Sequence, residues 1–311
     1  MSIMLLYVDD EAGPARRLAE AAGLEARAVV EHRFPDRELR LTLPFAGTVA
    51  SPEPMPLTLV VYRSLDRPND KLVELWLIAR HARQQGARRL VLVAPYLAYM
   101  RQDIAFHPGE IVSQTLIGAF LAELFDAVIT VDPHLHRIDR LDQAIPLERA
   151  VALSGAVRLG ELIAERREEP LLIGPDAESR QWVQQAAGAT GFAFGVCHKT
   201  RRGDREVAIA LPDIALRGRR TVLMDDVASS GHTVARAAEA LLAAGAASVD
   251  LAVTHALFAD DALAVIEAAG VGEVWSTDCI VHASNAISMA PLLAPALSEV
   301  LAALDQRAAS D

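Results

Sequence analysis

Short apolar runs recur along the chain with amphipathic stretches between them. Residues 3–8, 57–62, 90–94 and 127–131 are apolar almost without interruption, while residues 70–85 and 110–123 carry apolar positions at helical spacing. The second half repeats the rhythm. There 171–173, 192–197, 207–211, 221–224, 249–254 and 274–277 read as strands, and 154–167, 234–244 and 260–269 as helices. Strands that are apolar on both faces and alternate with crossover helices predict mainly parallel sheets flanked by helices, an α/β fold. The best break lies near residues 147–153, after the turn-rich stretch at 142–146, and no low-complexity linker separates the halves.

Length adjusts this picture little. At ~150 residues per domain, 311 residues make two domains the natural division. No apolar run approaches the roughly 18 to 20 residues of a membrane span. The start MSIMLLYVDDEAG lacks the basic region and cleavage pattern of a signal peptide, so a cytoplasmic location and no membrane partner are expected. Cys197 and Cys279 are expected as packed thiols rather than a disulfide or a metal cluster. The net charge of −11 argues against nucleic acid, which needs a basic footprint. A chain so acidic must gather its cations locally to handle phosphates. Its arginines cluster at 37 and 40, 63 and 67, 101, and 201, 202 and 205, although such clusters are usually solvated faces.

The stretch 219–233, RRTVLMDDVASSGHT, carries the sharpest chemistry. A short apolar strand empties into two acids and a run of small residues, and an alanine-rich helix follows. Ser229, Ser230, Gly231 and Thr233 offer backbone N–H groups and hydroxyls where a helix dipole favours a phosphate. Asp225 and Asp226 suit sugar hydroxyls or a metal instead, which together suggests a sugar phosphate. Taken alone, a strand end, a turn and a helix cap would explain the same residues. Other acids and histidines stand at strand ends, where open α/β sheets place ligands: Asp132, His134 and His136 after residues 127–131, and Asp176 after residues 171–173. In isolation the histidines read as loop hydrogen bonders and Asp176 as a helix cap.

Read together, these segments resemble the ribose-phosphate pyrophosphokinase (PRPP synthetase) family from about residue 34 to residue 297. Residues 225–233 are similar to the PRPP loop shared with type I phosphoribosyltransferases, with Ser230 for the usual Thr and His232 for a usual Gly. Phe34-Pro35-Asp36-Arg37-Glu38 resembles FPDGE, a segment that in the family reaches into a neighbouring subunit and binds the adenine of ATP. Arg101-Gln102-Asp103 in PYLAYMRQD resembles PYxxYxRQD, whose Arg and Gln contact the nucleotide. Asp132 and His134 match a DxH signature whose His ligates Mg²⁺, Asp176 falls on a PD motif of the ribose-phosphate and metal side, and Lys199 and Arg201 match the Lys-x-Arg of a flexible catalytic loop.

The resemblance implies two similar phosphoribosyltransferase-like domains. Residues 1–148 would form the nucleotide side and 149–290 the ribose 5-phosphate side, with 291–311 a C-terminal helix able to pack back on the first domain. It implies Mg²⁺-dependent transfer of pyrophosphate from ATP to ribose 5-phosphate. Phe34, Asp36, Glu38, Arg101 and Gln102 would then hold ATP, Asp176, Asp225, Asp226, Ser229, Ser230, Gly231 and Thr233 would hold ribose 5-phosphate, and Asp132, His134 and Asp176 would hold the metal. Lys199 and Arg201 would be catalytic, and the chain would assemble as a homodimer or larger. A noncatalytic regulatory homologue and a phosphoribosyltransferase remain as alternatives. After Asp103 the chain reads IAFHPGE where common bacterial members are basic, resembling archaeal and divergent proteobacterial loops. Weak response to allosteric ADP or phosphate is expected from it.

Overall fold

The computed structural model describes residues 3–45, 55–202 and 206–308, with the side chains of residues 199–202, 206–208 and 307–308 outside the description. The chain divides into two compact units, one of residues 1–153 and 289–311, the other of residues 154–288.

In the first unit, β1 (Ile3–Val8), α1 (Ala12–Ala22), β2 (Glu25–Arg33), β3 (Leu39–Thr42), β4 (Thr58–Tyr62), α2 (Pro68–Gln84), β5 (Arg89–Val93), α3 (Ser113–Leu124), β6 (Ala127–Val131) and β7 (Ala150–Leu153) follow in order. They build a seven-stranded sheet ordered β3-β2-β1-β4-β5-β6-β7. Every pairing is parallel except β2 with β3, which form an antiparallel hairpin at one edge. The central strands are buried on both faces, which is why they read as unbroken apolar runs. β2, EARAVVEHR, is half-buried or exposed apart from Val29 and correspondingly polar, so no apolar run announces it. Pro68 stands in the first turn of α2, where its missing N–H costs nothing.

The second unit runs α4 (Ala156–Arg166), β8 (Leu171–Gly174), α5 (Arg180–Thr190), β9 (Phe194–Val196), β10 (His198–Arg202), β11 (Glu206–Ala210), β12 (Arg220–Val227), α6 (His232–Ala243), β13 (Ser248–His255), α7 (Ala262–Ala268), β14 (Val271–Thr277) and β15 (Asn285–Ile287). Its sheet is wholly parallel, ordered β15-β14-β13-β12-β8-β9, and β10 pairs with β11 as a separate antiparallel hairpin. Alternate residues face opposite layers. Leu171, Ile173, Leu223 and Leu251 pack with Ala237 and Leu241 of α6 and Ile266 of α7, whereas Leu172, Val222 and Met224 pack with Leu159 and Ile163 of α4 and Val183 of α5. The last helix, α8 (Ala290–Ala308), belongs to the first unit and packs on α1, with Arg89 paired to Asp305.

At β12 and β14 strand boundaries differ from expectation, β14 beginning at Val271 rather than 274. β12 does not stop at Met224 but continues through both acids, with Asp225 beside Val253 and Val227 beside His255. Backbone pairing with β13 extends the strand past the point where its apolar pattern ends.

Candidate functional site

The residues singled out in the sequence gather at the carboxyl ends of strands, in two groups that belong to the two units. In the first unit, Asp132 follows β6 directly, is buried, and takes a φ of +38° while its N–H donates to the Leu153 carbonyl at 2.8 Å. His134 is half-buried and meets His136 edge to face, with ring centroids 4.2 Å apart. The segment carrying Arg101 and Gln102 is tied to this one through Asp103, whose buried carboxylate accepts from Arg137 Nη1 at 2.6 Å. Gln102 donates to the Ile104 carbonyl, its own carbonyl accepts from the Gln114 N–H, and Arg101 is left exposed. Beyond it, Phe106 is exposed under Arg137, and the Phe106 N–H donates to Glu110 Oε2.

Residues 34–38 form the turn of the β2–β3 hairpin. Phe34 lies between His32, at 4.8 Å centroid to centroid, and the Arg40 guanidinium, and Asp36 Oδ1 accepts from the Glu38 N–H at 3.1 Å. Beside this turn lies a feature the sequence did not disclose. A cleft of about 550 Å³ opens at the ends of β1 and β2, lined among others by Asp10, Arg33, Arg63, Asp70, Lys71 and Glu74. It sits where the chain order reverses between β1 and β4, the switch point of the sheet. Arg63 Nη2 lies 2.6 Å from Glu74 Oε2, and Lys71 Nζ lies 2.6 Å from Glu11 Oε1, with all four side chains at most 4% exposed. Burial raises the Glu11 and Glu74 carboxyls above their usual value against the pull of the neighbouring cations. Burial also opposes the charge on Arg63, but Glu11, Glu74 and Asp10 more than offset it, so its pKa is raised. Arg63 is thus no solvated surface cation, as its place in an arginine cluster suggested.

The second unit assembles the acids and the small-residue loop. Asp176 follows β8 and caps the short turn after it, accepting from the Glu178 N–H at 3.1 Å. Asp225 and Asp226 lie at the end of the neighbouring strand, and Asp225 Oδ1 accepts from the Asp226 N–H at 3.0 Å. Burial, then the Asp226 and Asp176 carboxylates, hold Asp225 well above the usual carboxylate range. Asp225 thus resists ionisation beside two other acids at the ends of neighbouring strands, and a hard divalent cation with oxygen ligands suits such a set. Cys197, buried nearby, has its thiol pushed up to about 12 by burial and by Asp176, and both cysteines are free.

Ser229 and Ser230 lead to Gly231, which precedes α6 with φ +75°. The N-cap of α6, Gly231, has no side chain with which to bond the N–H groups of the first turn, which suits an anion there. Thr233 is half-buried in that turn, and His232, the departure from the usual glycine, is exposed at its first position. Lys199 and Arg201 fall on β10, in register with Ile209 and Val207 of β11; their side chains lie outside the described residues.

Comparison with known proteins follows this division. The N-terminal domain of ribose phosphate pyrophosphokinase matches residues 3–124, and the phosphoribosyl transferase domain matches residues 154–264. The ribose-phosphate pyrophosphokinase of Methanopyrus kandleri is 35% identical over 92% of this chain and 95% of its own, and ribose-phosphate pyrophosphokinase 2 of Archaeoglobus fulgidus is 33% identical over 90% and 94%. The crystal structure of phosphoribosylpyrophosphate synthetase from Mycobacterium smegmatis superposes over 97% of this chain and 99% of its own, with a TM-score of 0.79 at 22% identity, and so shares the fold. Motifs, topology and relatives agree, and the chain belongs to the ribose-phosphate pyrophosphokinase family of enzymes.

Proposed function

We propose that this protein transfers the intact pyrophosphoryl group of ATP to the C1 hydroxyl of ribose 5-phosphate, giving PRPP and AMP for nucleotide biosynthesis. The hydroxyl oxygen attacks the β-phosphorus, the bond from that phosphorus to the α,β-bridging oxygen breaks, the hydroxyl proton is lost, and AMP departs. The observation that carries this reading is the survival of two complementary sets of groups in one chain: Arg101, Gln102 and His134 of the first unit, and Asp176, Asp225, Asp226 and the loop at Gly231 of the second. A phosphoribosyltransferase would need only the second set.

In this reading residues 1–148 serve the nucleotide and 149–290 the ribose 5-phosphate. Ser229, Ser230, Gly231 and Thr233 hold the 5-phosphate at the uncapped start of α6, while Asp225 and Asp226 take the ribose hydroxyls. Phe34, Asp36 and Glu38, from a neighbouring copy of the chain, complete the adenine pocket with Arg101 and Gln102. Asp132 and His134 on the nucleotide side and Asp176 on the ribose side would be ligands for Mg²⁺, which when bound supplies positive charge to the phosphate oxygens. Lys199 and Arg201 add positive charge as the bridging oxygen becomes negative.

Purified protein given ATP, ribose 5-phosphate and Mg²⁺ should form PRPP and AMP in equal amounts. Lys199→Ala should lower turnover by ~10² or more while ribose 5-phosphate still binds, because the lost contact belongs mainly to the transition state. Absence of AMP and PRPP from the wild-type reaction would refute the assignment.

A further inference from the structure

The hairpin turn at residues 34–38 closes with the Arg37 N–H donating to the Phe34 carbonyl at 2.8 Å and the Phe34 N–H donating to the Glu38 carbonyl at 2.9 Å. Three residues therefore lie between the paired ends, and the third, Arg37, has a φ of +76°. Hairpin loops of this length place a left-handed residue at that point, usually glycine. Arginine lacks the short polar side chain that lets Asn or Asp tolerate this conformation. Something outside the turn has to hold it there.

The Arg37 guanidinium reaches out of the turn to helix α2. Its Nη2 donates to Asp70 Oδ2 at 2.7 Å, and the same oxygen accepts from Arg33 Nη1 at 3.2 Å. Arg33 in turn lies 3.4 Å from Glu74 Oε1, one helical turn after Asp70, and Glu74 pairs with buried Arg63. At 72% exposure Arg37 would gain little from an isolated surface ion pair. Here the pair is the outer end of a chain of charges whose inner members are buried and fixed. We propose that Arg37 is a positioning residue that ties the loop of Phe34, Asp36 and Glu38 to α2 through Asp70, setting the attitude in which that loop meets the nucleotide; this rests on reading the loop as part of the adenine pocket.

The tether and the backbone strain act in opposite directions, and substitutions separate them. Arg37→Ala keeps the strain and removes the tether, Arg37→Gly removes both, Arg37→Lys keeps a cation, and Asp70→Asn weakens the tether from the other side. KM for ATP should rise about fivefold in Arg37→Ala and about threefold in Asp70→Asn, with the increases smaller in Arg37→Gly and Arg37→Lys. Turnover and KM for ribose 5-phosphate should stay within about twofold of wild type, whereas general unfolding would disturb all three. The double variant should fall short of the product of the two single effects, since both substitutions remove the Arg37–Asp70 interaction. Hydrogen exchange should show the Phe34, Arg37 and Glu38 amides losing protection in Arg37→Ala.

Unchanged KM for ATP in both single variants, or effects that multiply in the double variant, would overturn the tether. Should wild-type protein make no PRPP, the adenine-pocket reading fails instead, and the exchange measurement alone decides: unchanged protection at residues 34–38 rejects the tether, and lost protection establishes it.

Discussion

A methyl group at position 231 would sit 2.8 Å from the Ala262 carbonyl oxygen and 3.0 Å from Ile266 Cγ1, on a backbone whose φ of +75° already disfavours a side chain. Gly231→Ala is therefore expected to cost about 2 kcal/mol or more in denaturant unfolding, the sum of left-handed strain and contact with a carbonyl that has no room to retreat. Its affinity for ribose 5-phosphate should fall about tenfold or more as the N–H groups before α6 shift. His232→Gly should change that affinity far less, because His232 is exposed at the first position of the helix. Calorimetric titration of both variants checks the contrast, and equal effects would show that the bulk of His232 reaches the phosphate after all. The identities of the small residues at 229–233 were plain in the sequence. Which of them lies against α7 was not, because that depends on a helix some thirty residues downstream.

At the scale of elements, what could be read was what packing makes periodic. Strands β4, β5 and β6 are covered on both faces and spell themselves as apolar runs, whereas β2 and β3 lie at a solvated edge and hide among charges. The ionic cluster behind that edge was invisible for a related reason: Glu11, Arg63, Lys71 and Glu74 are polar in type and buried in fact, and their pairing brings together the segments that follow β1 and β4 and helix α2. Arg63→Met tests the account. Removing Arg63 leaves buried Glu74 with only the more distant Arg33, and about 3–5 kcal/mol of stability should be lost in urea unfolding. Arg63→Met combined with Glu74→Met should recover part of that loss, since the Glu74 charge leaves together with its partner while Glu11 and Asp10 still lose Arg63. Losses that simply add would mean that the pair is not coupled and that the cluster stands on other contacts.

Across the first unit, all the parallel strands end at one edge of the sheet, and the motif residues follow them there. Along that edge the hairpin turn at residues 34–38 leaves from β2, while Arg101 and Gln102 follow β5 and His134 follows β6. Three strand spacings separate β2 from β5, about 14 Å, and β6 lies one spacing further. The turn and the segment before Arg101 both reach the start of α2, through Arg37 to Asp70 and Tyr99 to Asn69, so strand order alone does not say whether one chain or two enclose the adenine. The resemblance to FPDGE implies that a second copy brings its hairpin to the first copy's Arg101. Mixing is the direct test. Asp36→Ala and Arg101→Ala proteins, each with little PRPP synthesis alone, should recover activity after subunit exchange, because a hybrid assembly contains sites with an intact Asp36 from one copy and an intact Arg101 from the other. Random pairing in a dimer makes half of the assemblies hybrids with one intact site each, so the ceiling is roughly a quarter of wild-type activity. Demonstrated exchange without recovery would place both halves of the adenine pocket in one chain.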